Sequence, residues 1–402
     1  MSTAATTILE PSPAVAGSAL LGTYRPAAPV FVRGEGVRVY DEAGRAWLDF
    51  VAGIGVNALG YGDATVRAAV EQALSSGLIH LSNLYRTEPA AALAQLLVDA
   101  SFADRVFFCN SGAEANEAAF KFARRWARAR GGEAKHEIVA LRNSFHGRLF
   151  GALAATDRPA MQAPFTPLMP GVRFVDPNDA ASLEAALDPA RTAAIIAEPV
   201  QGEGGVQPLS ADVLARLRAV ADANDALLIF DEVQCGLGRT GRLFAYQAHG
   251  IVPDVLTLAK PLAGGLPMGA VLLSDGVAEC IQPGDHATTF GGGPLVATVA
   301  AAVVARIADP AFLGRVRALG DYLHEQLREL AASCPSIVDV RGAGLMWGIV
   351  LDVPAAPVAA AALEAGLLVA TAGERVVRLL PPLVIRESDI DEAIAILGEV
   401  LA

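Results

Sequence analysis

From Val30 to Phe50 the chain alternates apolar and polar residues around a glycine-containing turn, VFVRGEGVRVYDEAGRAWLDF. That period of two predicts a small antiparallel hairpin or meander. From about Asp63 the period lengthens. Apolar positions in ATVRAAVEQALSSG and EPAAALAQLLVDAS recur every three to four residues and predict two helices. Short apolar runs then alternate with helical stretches: RVFF, EIVAL, VRFV, AAIIAEPV, ALLIFDEV, VLTLA and GAVLLS. Strands alternating with helices predict a mainly parallel sheet covered on both faces. After Gly291 a long helical region begins, followed by a mixed tail with VDVRGAGLMWGIVLDV and RVVRLLPPLVI. The expected organisation is an arm over 1–22, a large α/β domain over 61–280, and a smaller α+β domain combining 23–60 with 281–402.

Composition narrows the function. The chain has 402 residues, more than half of them apolar, and a net charge of −12. The acidic balance and the absence of a basic stripe argue against a nucleic-acid partner. Four cysteines stand far apart, with no CxxC pair to suggest a metal or disulfide framework. The longest apolar stretch, PLVATVAAAVVA, is too short to span a bilayer and reads as a buried helix. The first twenty residues hold one acid, Glu10, and no basic residue, which matches neither a signal nor a transit peptide. A cytoplasmic protein with no membrane partner is the expectation.

Ligands of open α/β sheets bind outside the carboxyl ends of the strands, so the residues there carry the argument. The chain has only three lysines, Lys121, Lys135 and Lys260. Lys260 ends the run VLTLA and precedes Pro261 and Gly264-Gly265, on a loop expected to be non-helical. A lysine buried there favours its free amine, which can form a Schiff base; the plainer alternative is a surface lysine in a turn. Ser111, Gly112 and Ala113 form a turn between a strand and a helix, where free amides and the helix dipole suit an anion. Asp231 and Glu232 end ALLIFDEV, and an acid there needs a cationic partner. In NSFHGR, Phe145 offers a flat face and Arg148 a clamp for a carboxylate. Glu198 and Glu203 lie near the same sheet edge, and Arg378 stands in an almost wholly apolar run, where it needs an acid or a substrate carboxylate. Gly236–Gly241, GLGRTG, fits the dinucleotide pattern in spelling only, since it leads into a weak helix and lacks an acid at the end of the next strand.

A lone lysine, an acid, a ring, an anion cradle and two arginines make up the protein's side of pyridoxal-phosphate chemistry on an amino acid. The motifs SNLYRTEP, FFCNSGAEANEAAFKFAR, EPVQGEGGV, LLIFDEVQCGLGRTG, TLAKPLAGGLPMGA, GDHATTFGGGP and VRLLPPLVI extend this inventory from about Tyr24 onward. With them the chain resembles the class III pyridoxal-phosphate aminotransferases, and within these it looks most like the acetylornithine branch. The resemblance implies the PLP-transferase fold type I and pyridoxal 5'-phosphate bound to Lys260. Asp231 would pair with the pyridine nitrogen and Gln234 would lie near the phenolic oxygen. Ser111, Gly112 and Ala113 would hold the phosphate, with Phe145 on the ring. It implies a homodimer with shared active sites, in which Thr289 completes the phosphate site of the neighbouring subunit. It casts Arg148 as the clamp for the acylated diamino acid, Arg378 as the clamp for 2-oxoglutarate, and Glu203 as the acid covering Arg378. The implied reaction is a ping-pong transfer from N-acetylornithine to 2-oxoglutarate in arginine biosynthesis. Rival donors are succinylornithine, succinyl-diaminopimelate and a carrier-linked aminoadipate semialdehyde; a non-catalytic cofactor-binding scaffold is the alternative of another class. The chain departs from the family at Leu149, Pro261 and Gly293, and of these Leu149 and Gly293 bear on acyl specificity.

Overall fold

The computed structural model describes residues 20–24 and 29–402. Most of the arm expected over 1–22 lies outside the described residues. A seven-stranded sheet organises the rest. Its strands are β1 (Arg105–Cys109), β2 (Glu137–Leu141), β3 (Val172–Val175), β4 (Thr192–Ala197), β5 (Leu227–Asp231), β6 (Val255–Leu258) and β7 (Gly269–Leu273). The spatial order is β1-β7-β6-β5-β4-β2-β3. Every residue of β2, β4, β5 and β6 is buried, as expected of strands covered on both faces.

β3, β2, β4, β5 and β6 run parallel to one another. β7 runs against both β6 and β1. The reason is the connection: a parallel return needs a long crossover, usually a helix, and only the short link from Ala259 to Met268 separates β6 from β7. Because β7 alone is reversed, the carboxyl ends of β1, β2, β4, β5 and β6 share one edge of the sheet.

The predicted hairpin is present as Phe31–Glu35, Arg38–Asp41 and Ala46–Asp49, joined by Leu367–Leu368 from the far end of the chain. A second four-stranded sheet comprises Ile337–Ala343, Met346–Leu351, Val376–Leu379 and Ala370–Thr371. The helix Pro294–Ala308 packs on Ala64–Ser75 and Glu88–Asp99 through a buried face of Ala297, Ala300, Val303, Val304 and Ile307. Among the described residues no single helix is long and apolar enough to cross a membrane.

Gly236–Gly241 is a run of turns that opens no helix. Arg239 in this loop is fully buried with no ion-paired acid among the described residues, and burial lowers its pKa to about 9. Its Nη1 donates to Leu345 O at 2.9 Å and Pro381 O at 2.5 Å, while Arg239 O accepts from Leu345 N at 3.0 Å. The loop after β5 is thereby bonded to the backbone flanking the Val376–Leu379 sheet.

Candidate active site

A cavity of about 440 Å³ opens at the shared strand edge and is lined by residues from the ends of β1, β2, β4, β5 and β6. Lys260, Asp231, Glu203, Ser111, Gly112, Ala113, Phe145, Gln234 and Arg148 all reach it.

Lys260 stands two residues after the end of β6, with Ala259 between. It starts a single 3-10 turn, Lys260–Ala263, so the expectation of a non-helical loop is corrected. Proline is tolerated in the first positions of a helical turn, and Gly264, at φ +59°, stops the turn. Lys260 itself has φ +26°, an uncommon value for a residue with a side chain. Burial, with Arg378 adding to it, lowers the Lys260 pKa to about 8, against the opposing pull of Glu203, Asp231 and Glu198.

Asp231 is the last residue of β5 and is buried. Its Oδ2 accepts from Asn116 Nδ2 at 2.7 Å and lies 2.7 Å from His146 Nδ1; its Oδ1 accepts from Val233 N at 3.0 Å. Asn116 also donates to His146 O at 2.8 Å and accepts from Thr257 Oγ1 at 2.8 Å. Four elements thus fix one carboxylate at the cavity wall.

Ser111 caps the helix Gly112–Gly131, and its Oγ accepts from Glu114 N at 3.2 Å. The first amides of a helix have no intrahelical partner, which leaves those of Gly112 and Ala113 available at the cavity. Gly112 is required for space, because a Cβ there would stand 2.6 Å from Val233 Cγ1.

Arg378 lies on the strand Val376–Leu379 and is 2% exposed. Its Nη1 donates to Glu203 Oε1 at 2.5 Å and Gln234 Oε1 at 3.1 Å. Burial pushes the Glu203 carboxyl up, but Arg378, Lys260 and Gln234 outweigh it and hold the group below its ordinary value. Arg148 differs in kind. It is exposed, with its guanidinium carbon 5.8 Å from the centre of the Phe145 ring, and is followed by the exposed Leu149 and Phe150. Thr289 is not brought to this cavity. It lines another of about 770 Å³, with His80, Asn83 and Leu84, beside the exposed Phe290.

The comparison with known proteins agrees with this geometry. The family described as Aminotransferase class-III matches residues 23–401. The chain belongs to the class III aminotransferases. This aminotransferase is 48% identical over 96% of its length to the mitochondrial acetylornithine aminotransferase of Alnus glutinosa, covering 86% of that protein. It is 45% identical over 94% of its length to a succinylornithine transaminase of Yersinia pseudotuberculosis, covering 93% of it. Among solved structures, N-acetylornithine aminotransferase from Stenotrophomonas maltophilia superposes with a TM-score of 0.82 at 38% identity, over 93% of this chain and 96% of that one. The architecture of this aminotransferase is that of the PLP-transferase fold type I.

Sequence reasoning missed Asn116, His146, Val233 and Thr257 as parts of the site. Asn116 did leave a signal. It sits on the helical stripe of Ala115, Ala119, Phe122 and Ala123, which is otherwise apolar and buried, and a polar residue there needs a buried partner. Asn116→Ala leaves Asp231, His146 O and Thr257 each short of a partner. A loss of about 1–3 kcal/mol is expected, read as a lowered thermal unfolding midpoint.

Proposed function

We propose that this aminotransferase holds pyridoxal 5'-phosphate covalently on Lys260 and transfers the terminal amino group of N-acetylornithine to 2-oxoglutarate. The observation that carries the reading is one cavity lined by a lysine of lowered pKa, a donor-held acid and Glu203, whose carboxylate covers Arg378 behind it. The residues present fit the cofactor: free helix amides for its phosphate, the Phe145 ring for its face, Asp231 for its pyridine nitrogen and Lys260 for its aldehyde carbon. Gln234 lies within reach of the same space, its amide oxygen also taken up by Arg378. When bound, the cofactor supplies an electron sink for the substrate carbon that loses its proton.

The chain's own part follows from position. Lys260 Nζ, once released by the incoming amine, takes the proton from the amine-bearing carbon and later returns one, acting as base and then acid. Asp231 keeps a positive charge on the ring nitrogen. Arg148, at the open mouth, receives the carboxylate of the long acylated donor. Arg378, deeper and covered by Glu203, receives the α-carboxylate of 2-oxoglutarate once Glu203 swings away. An arginine that is masked in one half-reaction and open in the other lets a single site accept a terminal amine and then an α-oxo acid. Residues 23–60 with 281–402 form the smaller domain of this proposal and 61–280 the larger. A second copy of the chain would bring its Thr289 to the phosphate, supported by the exposed Leu84, Tyr85 and Phe290 around that residue.

The test is the visible absorbance of the purified holoenzyme. N-acetylornithine should bleach the lysine-bound band and 2-oxoglutarate should restore it. A band unmoved by N-acetylornithine but bleached by succinylornithine would favour the second reading, to which the Yersinia relative lends support.

A further inference from the structure

Glu198 has no part in the roles assigned above. It directly follows β4 and is buried, and its two carboxylate oxygens serve two different loops. Oε1 accepts from Phe145 N at 2.9 Å, and Oε2 accepts from Gly202 N at 3.0 Å. Phe145 provides the face for the cofactor ring. Gly202 immediately precedes Glu203, the acid on Arg378. The chain from Arg142 to Arg158, which includes the Phe145 loop and the helix Phe150–Ala154, meets the Glu203 turn at three more places. Gln201 Nε2 donates to Arg142 O at 2.8 Å, Arg158 Nη2 donates to Glu203 O at 2.8 Å, and a Cβ on Gly204 would stand 2.8 Å from Asn143 O. Among these ties, only Glu198 can change its charge near neutral pH.

We propose that Glu198 is a positioning residue whose carboxylate clips the Phe145 loop to the Glu203 turn, so that the ring seat and the cover over Arg378 shift as one unit. The inference rests on the proposed cofactor reading and adds a residue to it. Burial raises the Glu198 pKa to about 7, with Asp231 adding to the rise and His146 and the two amides opposing it. The titratable groups that face it are His146 from the Phe145 loop, Asp231 from β5, Lys260 from the link after β6 and Cys235 from the loop after Asp231. Protonation converts one acceptor oxygen into a hydroxyl that meets an N–H poorly, so the clip loosens as pH falls below about 7.

Glu198→Gln makes the loosened form permanent, since an amide offers one acceptor where the carboxylate offers two. Two readouts are paired: the dissociation constant of pyridoxal 5'-phosphate from the apoprotein by equilibrium dialysis, and the KM for 2-oxoglutarate. In the variant both should rise about tenfold, the scale of one lost hydrogen bond to a charged group. The pH step of the dissociation constant near 7 should flatten relative to wild type. A variant that lowers only the unfolding temperature, with both constants unchanged, overturns the proposal. So does one that moves the cofactor constant alone, because the two loops would then be uncoupled. If Glu198→Gln does not fold, Gln201→Ala cuts the outer tie; it should move both constants in the same direction by about two- to threefold, and movement of neither overturns the proposal. Failure of the wild-type protein to bind the cofactor would instead sink the functional reading, before Glu198 is tested.

Discussion

Lys260→Ala is expected to lower steady-state transamination by at least about 10⁴-fold, because in the proposed reading the one side chain serves as attachment point, general base and general acid. The fold should persist. The variant removes an amine whose charged form is disfavoured by burial, so the unfolding midpoint at neutral pH should hold or rise. The wild-type residue makes a second prediction checkable by stopped-flow absorbance. The neutral amine is the attacking form, so the rate of cofactor capture by the apoprotein should climb with pH and level off above about 8. A lysine at its ordinary value would keep climbing towards 10.5. Retained steady turnover in Lys260→Ala would remove the mechanism altogether.

Arg378→Ala should act on one half of the reaction. Its guanidinium is buried and its nearest acid is Glu203. The truncation both deletes the proposed clamp for 2-oxoglutarate and strands Glu203 without its cation. Breaking a buried charge pair in this way costs about 2–5 kcal/mol, so single-turnover reaction with 2-oxoglutarate should slow by about 10²–10³-fold. The half-reaction with N-acetylornithine, which uses the exposed Arg148 in this scheme, should change by less than about tenfold. A defect confined to the N-acetylornithine half would mean the two arginines have exchanged roles.

The seven strands of the central sheet were legible because each is a short, almost wholly apolar run set between helical patterns. The direction of β7 was not. GAVLLS reads like any buried strand, and its reversal is dictated by the length of the link after Lys260. The strand-end rule brought Lys260, Asp231 and the Ser111 turn to one edge, because it depends on chain direction and not on distant pairings. The partners of Asp231 escaped it: Asn116 and His146 lie 115 and 85 residues away in sequence. For Arg378 the apolar surroundings announced the need for an acid, while the residue pattern alone left open which acid would supply it. The rarity of lysine was informative three times over. Lys135 is buried and donates to Pro189 O at 2.7 Å and Asn224 O at 3.1 Å, and Lys121 donates to Asp285 O at 3.1 Å beside His286. Each lysine therefore answers a specific local demand, and only the strand-end position of Lys260 marks that demand as chemical.

The buried Arg239 has a consequence for how substrates are measured. A closed circuit runs from Asp231 along its loop to Arg239, across to Pro381 O, back along the chain to Arg378, and through Gln234 to the same loop. A caliper pinned in this way has a fixed gauge. In the proposed reading, the span between the acid under the cofactor ring and the deep arginine belongs to the backbone, and it sets how far from that ring the α-carboxylate of an oxo acid stands. In that reading, access to the arginine is set by the side chain of Glu203, which covers it. Re-tooling this chain for an acceptor whose carboxylate stands elsewhere would mean moving the pin before recutting the pocket.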